Sequence, residues 1–191
     1  MGIVEEPGLI LRHRLTVDEY MRMGEAGVLP PDARVELING EVVDMATMRS
    51  RHASAVSRLI SLLTRAAGER ATVWCQSPLV LGERSMPEPD LMLLKPRADF
   101  YRDAHPTAAD VLLLIEVSDT TTSYDRRIKL PLYARHGIVE VWIVDLDDGL
   151  LRVCRRPQAD GYADVATTAS PGVTPLTALP ELAVDLSGVL A

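Results

Sequence analysis

Pro89-Asp90-Leu91-Met92-Leu93-Leu94 and Val111-Leu112-Leu113-Leu114-Ile115-Glu116 are the two stretches whose reading decides the fold. Each is an apolar run of strand length, and each carries one carboxylate at its edge. An unpaired charge in such a segment costs about several kcal/mol, so something must offset it. A divalent cation is the leading candidate. Strand alternation puts Glu116 on the face of Leu114 and Leu112, and Asp90 on the face of Met92 and Leu94. The separation leaves room for a strand, a loop and a neighbouring strand. If the two strands pair, the carboxylates lie about 5 Å apart, close enough to share a metal ion or, without one, to force one of them to hold a proton.

Outward from this pair, the periodicities change along the chain. Thr16-Val17-Asp18-Glu19 reads as a capping box that opens a short helix ending near Gly24. Asn39-Gly40, between apolar runs, predicts a β-hairpin over 35–45, because both residues tolerate the positive φ of a type I′ turn. From Ser50 to Ala67 the positions Ala53, Val56, Leu59, Ile60, Leu63 and Ala67 recur at helical spacing, and Gly68 is the natural stop. Strands are expected at 71–75, 79–81, 89–94, 111–117, 139–144, 150–154 and 162–167. A second main helix is expected over 124–136, closed by Gly137. Pro131 cannot donate to the Arg127 carbonyl, so that helix is expected to kink there or to start near Lys129.

This order predicts an α/β (α+β) domain with a central mixed β-sheet flanked by helices, without the regular alternation of a doubly wound fold. No glycine-rich phosphate loop is present. With 191 residues, 47% hydrophobic and 25% charged, the chain is an ordinary globular one with a real core. Residues 16–191 are read as a single domain and 1–15 as an N-terminal extension. The net charge of −7 gives no global attraction for a polyanion, so nucleic acid would have to be met by local basic groups or metal ions. No apolar stretch is long enough to span a membrane and no basic signal segment opens the chain, so a cytoplasmic setting is expected. Cys75 and Cys154 make neither a disulfide framework nor a thiolate metal site.

The segment 112–145, taken with Arg34 to Glu41, His52 and Pro89-Asp90, resembles the Uma-type "putative restriction endonuclease" family of the PD-(D/E)XK nuclease superfamily. The resemblance runs from about Thr16 to Asp185. It implies a restriction-endonuclease-like fold and a hydrolase that cleaves phosphodiester bonds of DNA with Mg²⁺ or Mn²⁺. By that resemblance Asp90 and Glu116 are the metal ligands. Ser118 stands where the superfamily carries its lysine, and Lys129, on the following helix, matches a lysine of this family. Glu36 and His52 match a hairpin glutamate and a helix histidine that assist from the rim. Trp142, Tyr133 and Asp145 also match the pattern, but an aromatic beside a β-branched run reads as core and Asp145 as a strand end. A homodimer is expected on the same ground.

Each residue also has a plainer reading. Asp125 and Lys129, at i and i+4, make a helix-surface ion pair; Glu36 can be an exposed hairpin residue; His52 can be a surface or capping residue. Arg126, Arg127 and Arg135 can contact phosphates or form a solvated helix face. Two rival functions follow. The missing lysine and acidic charge fit an inactive nuclease-fold module that binds or assembles. Two carboxylates also suit a metal-free glycosidase, although one Phe and two Trp offer little sugar-stacking surface.

Overall fold

The computed structural model describes residues 12–119 and 122–190; of the expected extension 1–15, residues 1–11 lie outside the described residues. Helix α1 (Val17–Glu25) starts at the anticipated capping box, in which the Thr16 side chain accepts from the Glu19 N–H and Glu19 accepts from the Thr16 N–H. Strands β1 (Val35–Ile38) and β2 (Glu41–Asp44) form the hairpin, with Asn39 at φ 50° and Gly40 at φ 80° in the turn. A side chain at Gly40 would have its Cβ 2.8 Å from Arg14 Cβ, so close approach of the incoming chain also demands glycine there. Helix α2 (Ser50–Ala67) buries Val56, Leu59, Leu63 and Ala67.

The central sheet has six strands in the order β3-β4-β5-β6-β7-β8. These are β3 (Thr72–Cys75), β4 (Leu91–Leu94), β5 (Val111–Ser118), β6 (Glu140–Asp145), β7 (Leu150–Gln158) and β8 (Gly161–Thr168). Only β5 and β6 pair in parallel, and the helical segment 122–135 makes that crossover. One sheet face, with Leu91, Leu93, Leu113, Ile115 and Trp142, packs on α2 and on the short pair β9 (Val173–Pro175) and β10 (Ala183–Asp185). The opposite face, with Met92, Leu94, Leu114, Ile143 and Cys154, packs under Leu132 and Tyr133. Strand period two therefore puts Glu116, the residue two on from Leu114, beneath the helical segment.

One expectation needs correction. No strand forms at 79–81: only Val80 bridges to Thr107, while the Leu79 and Leu81 N–H groups donate to Pro87 and Ser85 across a tight loop. Pro78, Gly82 and Pro87 bracket too short a run for a ladder. The helix over 124–136 does not run as one α-helix, and its last α-helical stretch begins at Leu130, next to Lys129, as Pro131 leads one to expect. It passes from α3 (Thr122–Tyr124) through a π turn (Asp125–Lys129) into α4 (Leu130–Arg135), and the Leu130 N–H donates to the Asp125 carbonyl. The wider turn accommodates the residue that lacks an N–H, and Pro131 then falls in the first turn of α4, where no donor is required.

Cys75 is exposed and Cys154 is buried under the helical segment, where burial pushes its thiol up to about 11. At pH 8 an aromatic disulfide reagent is therefore expected to titrate Cys75 alone in the folded protein and both thiols in denaturant. Rapid labelling of Cys154 in the native state would contradict this packing.

Candidate active site

The β4–β5 register, Leu91↔Ile115 and Met92↔Leu114, continues one step to bring Asp90 opposite Glu116. The two are tied reciprocally. The Val117 N–H donates to Asp90 Oδ2 at 2.8 Å, and the Asp90 N–H lies 3.4 Å from Glu116 Oε2. Asp90 begins just before its strand because Pro87 and Pro89 delay the ladder; Glu116 lies within β5 and is only 4% exposed.

Lys129 reaches this pair from the π turn. Its Nζ lies 3.3 Å from Glu116 Oε1 and 3.0 Å from Glu36 Oε2, so a single ammonium joins the hairpin to the central sheet. Glu36 is 3% exposed and also accepts the Glu88 N–H at 3.3 Å, which removes the exposed-hairpin reading. Asp125 and Lys129 are both buried, which likewise removes the surface ion pair; the Ser118 hydroxyl donates to Asp125 Oδ2 at 2.7 Å. Ser118 thus anchors the segment that delivers Lys129. One helical turn later the Tyr133 hydroxyl donates to Glu116 Oε1. Tyr133 reads as core in the sequence because apolar residues surround it, and only the register reveals its hydroxyl's partner.

One ammonium between two buried carboxylates leaves a negative charge uncompensated. Burial is the largest influence on Glu116 and, with Asp125 and Asp90 adding to it, outweighs Lys129 and pushes the carboxyl up to about 8. Burial works against the Lys129 charge, but Glu116, Glu36 and Asp125 together raise its proton affinity, so it stays an ammonium. Burial and then the same glutamates hold the Tyr133 phenol far above its ordinary value, so it remains a donor.

His52, in the first turn of α2, places Nε2 3.0 Å from Asp90 Oδ1. That hydrogen bond raises its proton affinity against the opposing effect of burial, and its Nδ1 is buried with no hydrogen-bond partner among the described residues. All five expected residues, Asp90, Glu116, Lys129, Glu36 and His52, therefore line one cavity of about 380 Å³. Arg34, Arg49, Glu88, Asp119, Tyr124 and Asp125 line it too, and nothing in their local spacing singles them out. Arg126 and Arg127 do not: they face a separate hollow with Arg152 and Cys154, and Arg135 reaches the Asn39 side chain at 3.4 Å. Trp142 is core, with its indole N–H on Glu140, and Asp145 ends β6 as expected.

Chemically, the cavity offers two adjacent carboxylates, an obligate cation and proton donors poised on those acids. Comparison with known proteins agrees in kind. A family model described as Uma2, "Putative restriction endonuclease", matches residues 17–187. Among solved structures, a crystal structure described as "a putative nuclease belonging to DUF820" from Anabaena variabilis ATCC 29413 superimposes with a TM-score of 0.71. The two chains are 18% identical over 92% of this chain and 97% of that one, a likeness that shows the shared fold. No curated protein sequence matches the chain.

The charge balance sets a pH dependence. The folded state holds the Glu116 proton up to about 8, whereas the unfolded chain releases it near 4.5, so between those values the folded state binds more protons. Stability in metal-free buffer is accordingly expected to fall as pH rises from about 5.5 to about 8, by on the order of 2 kcal/mol. His52, also raised in the fold, acts in the same direction. In urea unfolding, Glu116→Gln should flatten most of that slope; a wild-type stability that rises across this window would refute the assignment.

Proposed function

This chain belongs to the Uma2 family, whose description is "Putative restriction endonuclease", and on that premise we propose that it is a metal-dependent endonuclease hydrolysing phosphodiester bonds of DNA. The observation that carries the reading is the reciprocal Asp90–Glu116 pair facing a buried ammonium inside one cavity. Family membership supports nuclease function. The metal, the DNA substrate and the PD-(D/E)XK roles are our reading of the geometry.

The donor set fits Mg²⁺ or Mn²⁺. Such an ion commonly takes one or two protein carboxylates and completes its shell with water and phosphate oxygens, and Asp90 and Glu116 supply that number of hard oxygen ligands. Among the described residues no group of three or more His, Cys, Asp or Glu is placed to hold an ion, so an ion held by Asp90 and Glu116 would complete its shell with water and substrate oxygens. The carboxyl raised to about 8 is a site at which added positive charge is favourable. When bound, the ion would lower the pKa of a water and neutralise phosphate oxygens.

The chain's own residues do the positioning. His52 holds one oxygen of Asp90 and the Val117 N–H holds the other, so that carboxylate is fixed in orientation. Tyr133 and Lys129 fix Glu116 in the same way. Lys129 supplies positive charge beside the carboxylates, where charge develops on the phosphoryl group, and Glu36 keeps that ammonium aimed at Glu116. The Ser118 substitution is thus met by a lysine arriving from the helical side.

Purified protein is expected to cleave DNA in Mn²⁺ or Mg²⁺ and to stop in EDTA. Asp90→Ala and Glu116→Ala should each reduce cleavage by at least roughly 10²-fold, and Lys129→Gln by roughly 10²- to 10³-fold, with circular dichroism unchanged. Cleavage that persists in EDTA, or in both carboxylate variants, would sink the assignment. Calorimetry that finds no Mn²⁺ binding dependent on Asp90 and Glu116 would favour a non-catalytic module.

A further inference from the structure

Tyr124 has no role in the scheme above, yet its side chain lines the same cavity as Asp90, Glu116 and Lys129. Its hydroxyl is buried with no hydrogen-bond partner among the described residues. Native proteins seldom leave a buried hydroxyl unpaired, and an exception inside a functional cavity points to a ligand atom as the partner. Three donors beside the two acids already have partners: Lys129 meets Glu36 and Glu116, Tyr133 meets Glu116, and His52 Nε2 meets Asp90. Tyr124 therefore brings to the cavity an O–H donor with no acceptor among the described residues. Burial, then Glu36, push its phenol up to about 12 against the pull of Lys129, so the proton is kept at neutral pH.

Resting on the nuclease reading, we propose that Tyr124 is a catalytic residue that donates its proton to the sugar oxygen leaving the phosphorus. In that step a water oxygen forms its bond to phosphorus while the bond from phosphorus to the sugar oxygen breaks. The breaking bond's electron pair goes to the sugar oxygen, which takes the Tyr124 proton and departs as an alcohol. The attacking water releases one of its protons to solvent and the phenolate takes one up from solvent, so the net balance is one water consumed, one phosphomonoester and one alcohol formed. An aliphatic alcohol is a weaker acid than a phenol, so the transfer runs downhill as the bond opens.

The test is Tyr124→Phe, read three ways. Because the hydroxyl has no hydrogen-bond partner among the described residues, the melting temperature of the metal-free variant should equal or exceed that of the wild type. Cleavage of a DNA oligonucleotide in Mn²⁺ should lose roughly 10²-fold in kcat with KM unchanged. Thymidine 5′-(p-nitrophenyl phosphate), whose leaving group needs no proton, should be cleaved at the wild-type rate. A lowered melting temperature, an undiminished oligonucleotide rate or equal losses on both substrates would each overturn the proposal. Wild-type protein that cleaves neither substrate is a distinct result, which removes the nuclease reading and this step with it.

Discussion

The buried ammonium of Lys129 is the contact on which the rest of the site depends. It lies between Glu36 of the hairpin and Glu116 of the central sheet, and the three residues are all at most 6% exposed. Removing one partner from such an arrangement leaves an uncompensated buried charge, a loss of about 3–5 kcal/mol in comparable cases. Arrangements of this kind are poor devices for stability alone, since apolar residues of similar volume pack as well. In the proposed function the charge at this end of β5 is retained for chemistry.

The π turn is what lets a lysine on a helix serve a strand. Asp125 and Lys129 occupy its ends, Tyr133 follows one turn later, and all three face the sheet's edge: one takes the Ser118 hydroxyl, the others converge on Glu116. Single wide turns inside α-helices recur at functional sites because they re-aim neighbouring side chains without ending the helix. Here Pro131 favours the wider turn, since an ordinary α register at that point would ask it for a hydrogen it does not have. Ser118 and Lys129 are accordingly two halves of one adjustment: the short hydroxyl anchors the helical segment and the long side chain supplies the charge.

Much of this was legible in the chain. Asn39-Gly40 required a particular backbone conformation, and Thr16 with Glu19 required a helix start, so both features were local and both appear. Asp90 and Glu116 stood out because carboxylates at the edges of apolar strands demand a partner, and the sheet register pairs them. The direction of Lys129 was not legible, since Pro131 argued for a break and the alternative hydrogen-bond pattern leaves no compositional trace. Nor was the burial of Glu36, which depends on Glu88 and Lys129, both remote in the chain. Tyr133 and Tyr124 look like packing residues until their hydroxyls are located, and β9–β10 is too short to show a period.

The hairpin that carries Glu36 is a separate two-stranded ladder of four residues per strand, joined to the rest of the molecule by the Leu37–Met86 bridge, by hydrogen bonds to Arg84, Ser85 and Glu88, by the buried side chain of Ile38 and by the Lys129 ion pair. Two-stranded ribbons of this size are marginal alone, and such units open locally at far less cost than global unfolding. Opening of the hairpin alone is therefore enough to take the Glu36–Lys129 contact apart. Each opening would admit water to Lys129 and Glu116 and let the site exchange its contents while the rest of the molecule stays folded.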